Sequence, residues 1–516
     1  MPDGGLNTAM TRRAVLRLLG LGAVVGVATA CSTAPSQSPA APAAPATSAP
    51  AQPAAAQPTA AGAAAAKPAP APTATPVVEA KTSAAVSSGD VVKITAWTIG
   101  PDAPSYYRRD NLIAAAETVN QELEKEGSKQ RVQVEGTFES GGQWSDYKQK
   151  FILAAEAKQG PDIVLAGHED LAPWAAAGHV IELDGLVKKF DAKFADLIPT
   201  LWDSVKLTGK TYAIPQDTEA RPVYYRKDLL AKMGWAKDKI DGLSEAVKKG
   251  DFAWPDLMAT AKEAVDKKIV EPGKGWYHRP SQGADFYSWY YQNGGQMQDK
   301  ESGKLVLVKD ALAKHYQVHF DAVRTNKITP ENMIGTEGRQ WHETVTAGKV
   351  LFYNAGTWTW KDWQATYKVA EQDLWDNVGF TLVPAAAKGG KPVTLSHPLV
   401  YMVSANSKNP ELAFRVIANA TTPELNSKHS VTSAHLAILK SQVNDPTYQK
   451  DKFLLQTGYM LDYTTFIPNH PKFGQYDEVL YRLLSAVESG QMQPAQAADV
   501  AIDELRSQLK DQLIIK

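Results

Sequence analysis

Aromatic side chains recur in this chain where strands end and polar loops begin. Trp97 runs into Thr98-Ile99-Gly100-Pro101-Asp102, and Trp144 follows Gly141-Gly142-Gln143. Phe286-Tyr287-Ser288-Trp289 follows Ser281-Gln282-Gly283-Ala284-Asp285, and Gly356-Thr357 leads into Trp358-Thr359-Trp360. All 13 tryptophans lie from Trp97 onward. A flat ring beside carboxylates and amides suits a polyhydroxylated ligand. The C–H face of such a molecule packs on the ring, while its hydroxyls take charge-assisted hydrogen bonds. Each tryptophan alone also fits core or interface packing. Their recurrence beside glycine at strand ends favours ligand contact for the group.

Other chemistries lack their residues. One cysteine, Cys31, cannot form an internal disulfide, a Cys-rich zinc site or an iron–sulfur cluster. Gly20-Leu21-Gly22 does not follow a strand, and Gly209-Lys210-Thr211 lacks the upstream glycine of a phosphate loop. His342-Glu343 has Thr346 where a zinc protease needs its second histidine. Asp299 to Lys304 lacks the spacing and closing Glu of a calcium loop and reads as a hairpin turn. No Gly-x-Ser-x-Gly elbow occurs. Carboxylates are plentiful enough for a glycosidase pair, but no motif singles out an acid and a base. The expectation is therefore no cofactor, no metal and no catalytic residue. With 55 basic and 56 acidic side chains in 516 residues, the net charge of −1 argues against nucleic-acid binding.

The first ninety residues read as address and tether. Thr11-Arg12-Arg13-Ala14-Val15-Leu16-Arg17 precedes an apolar run from Leu18 to Ala30, which describes a secretory signal. The run is short against the roughly 20 apolar residues of a membrane span. Ala28-Thr29-Ala30-Cys31 resembles a bacterial lipobox, with Cys31 the lipidated residue, and the paired arginines resemble a twin-arginine export signal. They also occur in general secretory signals. Residues 1–31 are thus expected to be a lipoprotein signal. Residues 32–89, rich in Ala, Pro, Ser, Thr and Gln with no aromatic side chain, are expected to be a disordered linker.

The body that follows must position the aromatic–polar segments. Val91 to Trp97 is a strand by its β-branched content, and Leu112, Ala116, Val119 and Leu123 repeat at helical spacing. Arg131 to Val134 alternates as a strand, Trp144 to Ala157 reads as a helix, and Asp162 to Leu165 is a continuous apolar strand. This alternation predicts an α/β architecture with a mostly parallel sheet and a ligand beyond the C-terminal strand ends, after Trp97, Thr137 and Leu165. A second α/β set follows, with a helix over 254–268 and strands over 350–353 and 378–383. Helices carrying Val479, Leu483 and Val487, then Ala498, Ile502 and Leu509, close the chain.

Three segments, in order, carry a resemblance. They are Gly160-Pro161-Asp162-Ile163-Val164 through Glu169 to Gly178, then Gly209 to Pro215 through Tyr224-Tyr225-Arg226-Lys227-Asp228, and Phe352 to Trp360. Together they resemble the maltose-binding protein family, the carbohydrate-binding extracellular solute-binding proteins of ABC transporters. The resemblance implies a bilobal type II periplasmic-binding-protein-like fold, two α/β lobes with a hinge and an interlobe cleft. It implies lobe 1 over 90–218 and 400–440, and lobe 2 over 219–399 and 441–516. It also implies a monomeric, non-enzymatic lipoprotein on the outer face of the cytoplasmic membrane that passes a mono- or oligosaccharide to a permease. Trp358 matches the family's stacking position, Glu219 a polar contact after the first crossing, and Glu169 a hydroxyl acceptor. Tyr476 stands at a second stacking position, and Phe286-Tyr287 match an aromatic wall. Two departures, Ala166 for an aromatic and Asp170 for an arginine, leave the sugar open. With Trp97, Asp102, Trp144, Asp170, Asp217, Trp289 and Trp360, these residues form the candidate ligand set. The alternatives are that Glu169 and Asp170 cap the next helix, Glu219 pairs with Arg221, Asp217 ends the crossing turn, and Tyr476 is core. A lipid-anchored glycoside hydrolase, or a binder of a phosphorylated polyol, polyamine or oligopeptide, is the functional alternative.

Overall fold

The computed structural model describes residues 77–86, 88–100 and 103–516. Alternation sets the first strands. Ile94, Ala96 and Thr98 are buried on one strand, and Val132 and Val134 on the next, while the residues between them are only partly buried. Ile163 to Gly167 is buried at every position, as a strand covered on both faces must be.

In chain order the strands that matter are β1 (Val77–Thr82), β2 (Asp90–Gly100), β3 (Gln130–Ser140), β4 (Ile163–Gly167), β5 (Ile214–Pro215), β6 (Val223–Arg226), β7 (Trp276–Tyr277), β8 (Phe352–Asn354), β9 (Val378–Thr381), β10 (Thr394–Ser396) and β11 (Leu399–Val403). Six of them form one sheet in the order β1-β3-β2-β4-β11-β5, and four form a second in the order β9-β6-β8-β7. In the first sheet β3, β2 and β4 run parallel, whereas β1, β11 and β5 join antiparallel. In the second, only β7 and β8 are parallel. The sheets are thus mixed rather than mostly parallel. The reason is topological, because β11 returns from the second sheet and enters the first from the opposite end.

The helices pack as their apolar stripes dictate. Leu112, Ala115, Ala116, Val119 and Leu123 of α1 (Tyr107–Lys125) and Phe151 of α2 (Trp144–Glu156) enter the core of the first sheet. A separate core beside the second sheet takes Leu257, Ala261 and Ala264 of α3 (Trp254–Asp266). A third core gathers Leu312 and Tyr316 of α4 (Lys309–Phe320), Val479, Leu483 and Val487 of α5 (Phe473–Glu488), and Ala498, Ile502 and Leu505 of α6 (Pro494–Leu509).

Three chain crossings between the sheets lie side by side. The segment after β5 pairs through Thr218 with Leu436, and the Thr218 hydroxyl meets that of Ser396 at 2.7 Å. These crossings carry Asp217, Glu219, Arg221, His397 and His435.

One expectation for the N-terminal segment changes. Residues 77–82, read as linker, form β1, an edge strand antiparallel to β3. Val77 and Val78 are exposed, so backbone pairing rather than burial holds the strand there. The signal region, Cys31 and linker residues 32–76 lie outside the described residues. Asp299 to Lys304 does form a turn, closed by the Asp299 N–H to the Lys304 carbonyl at 2.9 Å.

Candidate functional site

The crossing after β5 delivers Glu219 and Arg221 to the junction of the two sheets. Arg221 donates through Nη2 to Glu219 Oε1 at 3.0 Å and through Nη1 to Asp285. Its guanidinium lies 5.0 Å from the Trp358 ring centroid, and that of Arg279, just past β7, lies 5.9 Å from it. The indole is near-parallel to the His435 ring, 6.2 Å away. Trp358 follows β8 through Gly356, where a Cβ would land on the indole ring. Glycine therefore makes room for Trp358 to fold back toward the crossing.

This group is charge-balanced and under-bonded. Arg221 and Arg279 face Glu219 and Asp285. Yet Arg221 Nε, Arg279 Nη1, Asp285 Oδ1 and Thr357 Oγ1 are buried side-chain atoms with no hydrogen-bond partner. Each such atom costs about 1–3 kcal/mol, and the four beside one half-buried indole include both donors and acceptors. Burial raises Glu219 above the ordinary carboxylate value against the opposing pull of Arg221. Burial likewise lowers Arg279, with Asp285 resisting.

A second group adjoins it. Lys148 of α2 donates to Glu169 at 3.0 Å and forms an ion pair with Asp170 at 2.8 Å, and His397 Nε2 meets the other Glu169 oxygen at 2.5 Å. The His397 main-chain N–H donates to Glu219 at 2.8 Å, which joins the two groups. Opposite them, Asp477 of α5 accepts from Gln282 at 2.6 Å and from the Tyr287 hydroxyl. The Asp477 carboxyl is raised by burial and feels the charges of Glu169 and Lys148. Burial pushes Asp170 up to about 6 against Lys148. Burial opposes charge on His397, but the Glu169 carboxylate outweighs it and raises the imidazole.

The expected ligand set divides. Glu169, Glu219, Trp358 and Tyr287 reach these groups. Neither Glu169 nor Asp170 makes a side-chain cap; both are held by Lys148. Several other residues of the expected set lie in packed surroundings. Asp217 is 1% exposed and accepts from Arg108 at 2.9 and 3.0 Å and from His429 at 3.0 Å, leaving it no face for a ligand. Trp289 closes a three-tryptophan cluster with Trp254 and Trp276, each centroid 5.1 Å away. Trp360 is fully buried and stacked on Phe453 at 4.6 Å. Tyr476 is fully buried beside Phe473, its hydroxyl on the Val306 carbonyl at 2.8 Å. Phe286 is buried against His278 and Tyr481. Trp97 and Trp144 rest on the first core, near Lys150 and Tyr147 respectively, rather than on Trp358. Asp102 lies outside the described residues. The sequence reading missed Lys148, Asp285, Asp477 and the role of His397. A lone charged residue has no local signature; the only signal was Asp285 next to the Phe286-Tyr287 aromatics.

Two clusters here have metal-ligand composition, His168/Glu169/His397 and Asp217/His429/His435. In each the carboxylate already carries a fixed cation, Lys148 at 3.0 Å and Arg108 at 2.9 Å, so neither needs a metal to balance its charge.

Comparison with known proteins gives the fold its context. A family described as bacterial extracellular solute-binding protein matches residues 110–426, more than half the chain. The galactooligosaccharide-binding protein of Bacillus subtilis is 24% identical over 358 residues, 69% of this chain and 78% of that protein. Among solved structures, the GacH receptor of Streptomyces glaucescens, determined unliganded and with acarbose, superposes with a TM-score of 0.62 at 21% identity, covering 82% of this chain and 99% of that one. The cyclic alpha-maltosyl-1,6-maltose binding protein of Arthrobacter globiformis does so with a TM-score of 0.63 at 19% identity, covering 81% and 99%. These likenesses show the two-lobed type II binding-protein fold.

Proposed function

The chain belongs to the bacterial extracellular solute-binding protein family, and from that premise we propose that it captures a carbohydrate outside the cytoplasmic membrane and delivers it to an ABC permease. The observation that carries the sugar reading is Trp358 surrounded by four buried, unpaired polar atoms of both donor and acceptor type. A neutral polyol matches a charge-balanced site, because each hydroxyl both donates and accepts while its C–H face lies on the indole. Relatives named for galactooligosaccharide, maltotriose and cyclic maltosyl-maltose support a saccharide ligand.

Glu169, Glu219, Arg221, Arg279, Asp285 and Trp358 bind the sugar, and the protein does no chemistry on it. Residues 90–218 with 400–440 act as one lobe and 219–399 with 441–516 as the other, hinged at the crossings. The strand membership of the two sheets supports this division. Cys31 carries the lipid, and residues 32–76 tether the body to the membrane as a monomer. Calorimetry against a panel of neutral oligosaccharides tests the reading. Trp358→Ala is expected to weaken binding by about 2 kcal/mol, roughly 30-fold. Unchanged affinity in that variant, or turnover of the sugar, overturns the proposal.

A further inference from the structure

A third histidine–carboxylate cluster lies in the helical core away from Trp358. His278 follows β7, His319 sits in α4, and Glu488 ends α5; all three are 1% exposed or less. His278 Nε2 lies 2.9 Å and His319 Nδ1 2.7 Å from the same Glu488 oxygen. Their ligand atoms all lie within 4.8 Å of one another.

The hydrogen bonds around the cluster leave a deficit of positive charge. His278 Nδ1 lies 2.7 Å from the Arg279 carbonyl oxygen, which can only accept, so that nitrogen carries the proton. The Nε2 of a neutral His278 then carries a lone pair 2.9 Å from a carboxylate oxygen, a repulsive approach that a proton or a cation between the two atoms relieves. Glu488 Oε2, His319 Nε2 and His278 Nε2 are buried without a hydrogen-bond partner. Arg324 does not neutralise the carboxylate, since its Nε donates to the Glu488 main-chain carbonyl at 3.0 Å and its Nη1 pairs with Glu331 at 3.0 Å. Unlike the two clusters at the crossings, this one has no Lys or Arg on its carboxylate. A metal-binding imidazole commonly donates its other N–H to a backbone carbonyl, which is what His278 does.

We propose that His278, His319 and Glu488 bind one first-row divalent cation of the zinc class. Two imidazole nitrogens and a carboxylate are a recurrent zinc ligand set with the fourth position open. His315, one turn earlier on α4 with its ring 5.1 Å from that of His319, has a buried Nδ1 without a partner facing the same core. The ion ties β7, α4 and α5 together directly behind Arg279, the neighbour of His278. It is a structural staple for one wall of the site.

Tag-free protein, equilibrated with Zn2+ and dialysed, tests this by elemental analysis. About one equivalent of zinc is expected, and about one equivalent of Co2+ with a tetrahedral d–d absorption when cobalt replaces it. Glu488→Gln and His319→Ala lose that equivalent, while His397→Ala, in the crossing cluster, keeps it. Chelation lowers the melting temperature of the wild type and leaves that of Glu488→Gln unchanged. No stoichiometric metal and no cobalt band in the wild type overturn the proposal and leave a hydrogen-bonded cluster. Metal lost with His397→Ala but kept in Glu488→Gln overturns it too. Should both variants fail to fold, the conservative His278→Gln decides, with loss of the equivalent supporting the site and its retention refuting it. None of these readouts involves sugar, so the sugar reading stands or falls separately.

Discussion

At the scale of the residue, the crossings divide into charges that hold the protein together and groups proposed to meet the ligand. Asp217 belongs to the first kind. Its carboxylate meets Arg108 and His429 with almost no exposure, and although burial opposes ionisation, Arg108 holds it well below the ordinary range. Asp217→Asn leaves Arg108 buried without its counter-charge, and a loss of about 3–5 kcal/mol is expected in denaturant unfolding. His397 makes a different prediction. Its folded value is raised above the ordinary imidazole value, chiefly by Glu169 working against burial. The stabilisation it contributes is complete below the unfolded imidazole value near 6.5 and is lost as pH rises through the folded one. The histidines that burial lowers, such as His168 at about 4, have finished contributing by neutral pH and leave no slope above it. The melting temperature is therefore expected to fall from neutral pH upward. His397→Gln is expected to flatten that slope, and an unchanged slope in the variant would refute the assignment.

At the scale of the element, sequence patterns recovered the strands and helices but not how the sheets close. The stripe Leu112, Ala116, Val119, Leu123 and the unbroken run Ile163 to Leu165 each fix one element by its own periodicity, and both elements are present. β1 was hidden because an edge strand held by backbone pairing needs no apolar alternation. The antiparallel entry of β11 depends on where a distant crossing returns, which no local window encodes. The site was legible to the same degree. Trp358, Glu219 and Glu169 sit in segments with recognisable neighbours, whereas Trp289, Trp360 and Tyr476 look identical in sequence and are buried by partners far along the chain. The turn after β8 offers a test at this scale. Gly356 lies outside the left-handed backbone region, but any Cβ there meets the Trp358 ring. Gly356→Ala is expected to displace the indole and weaken sugar binding about as much as Trp358→Ala, with the fold retained by circular dichroism. Full affinity in Gly356→Ala would mean that the indole does not face the ligand.

At the scale of the molecule, the proposed site is spread over both sheets and the strands that join them. Lys148 and Glu169 come from the first sheet's side, Asp285, Trp358 and Asp477 from the second, and Glu219, Arg221 and His397 from the crossings. A ligand touching all three makes its full contacts only when the two sides are together. Binding must then shift an open–closed equilibrium by its differential affinity for the closed form. Moving a population from one-tenth closed to nine-tenths closed takes an affinity ratio of about 80, near 2.6 kcal/mol. The loss expected for Trp358→Ala, about 2 kcal/mol, is most of that difference. Small-angle scattering is therefore expected to show contraction of the wild type on saturation with its sugar, and little or none in Trp358→Ala at equal occupancy. Equal contraction in the two would separate the indole from closure and place the driving contacts on Arg221, Arg279 and Asp285 instead.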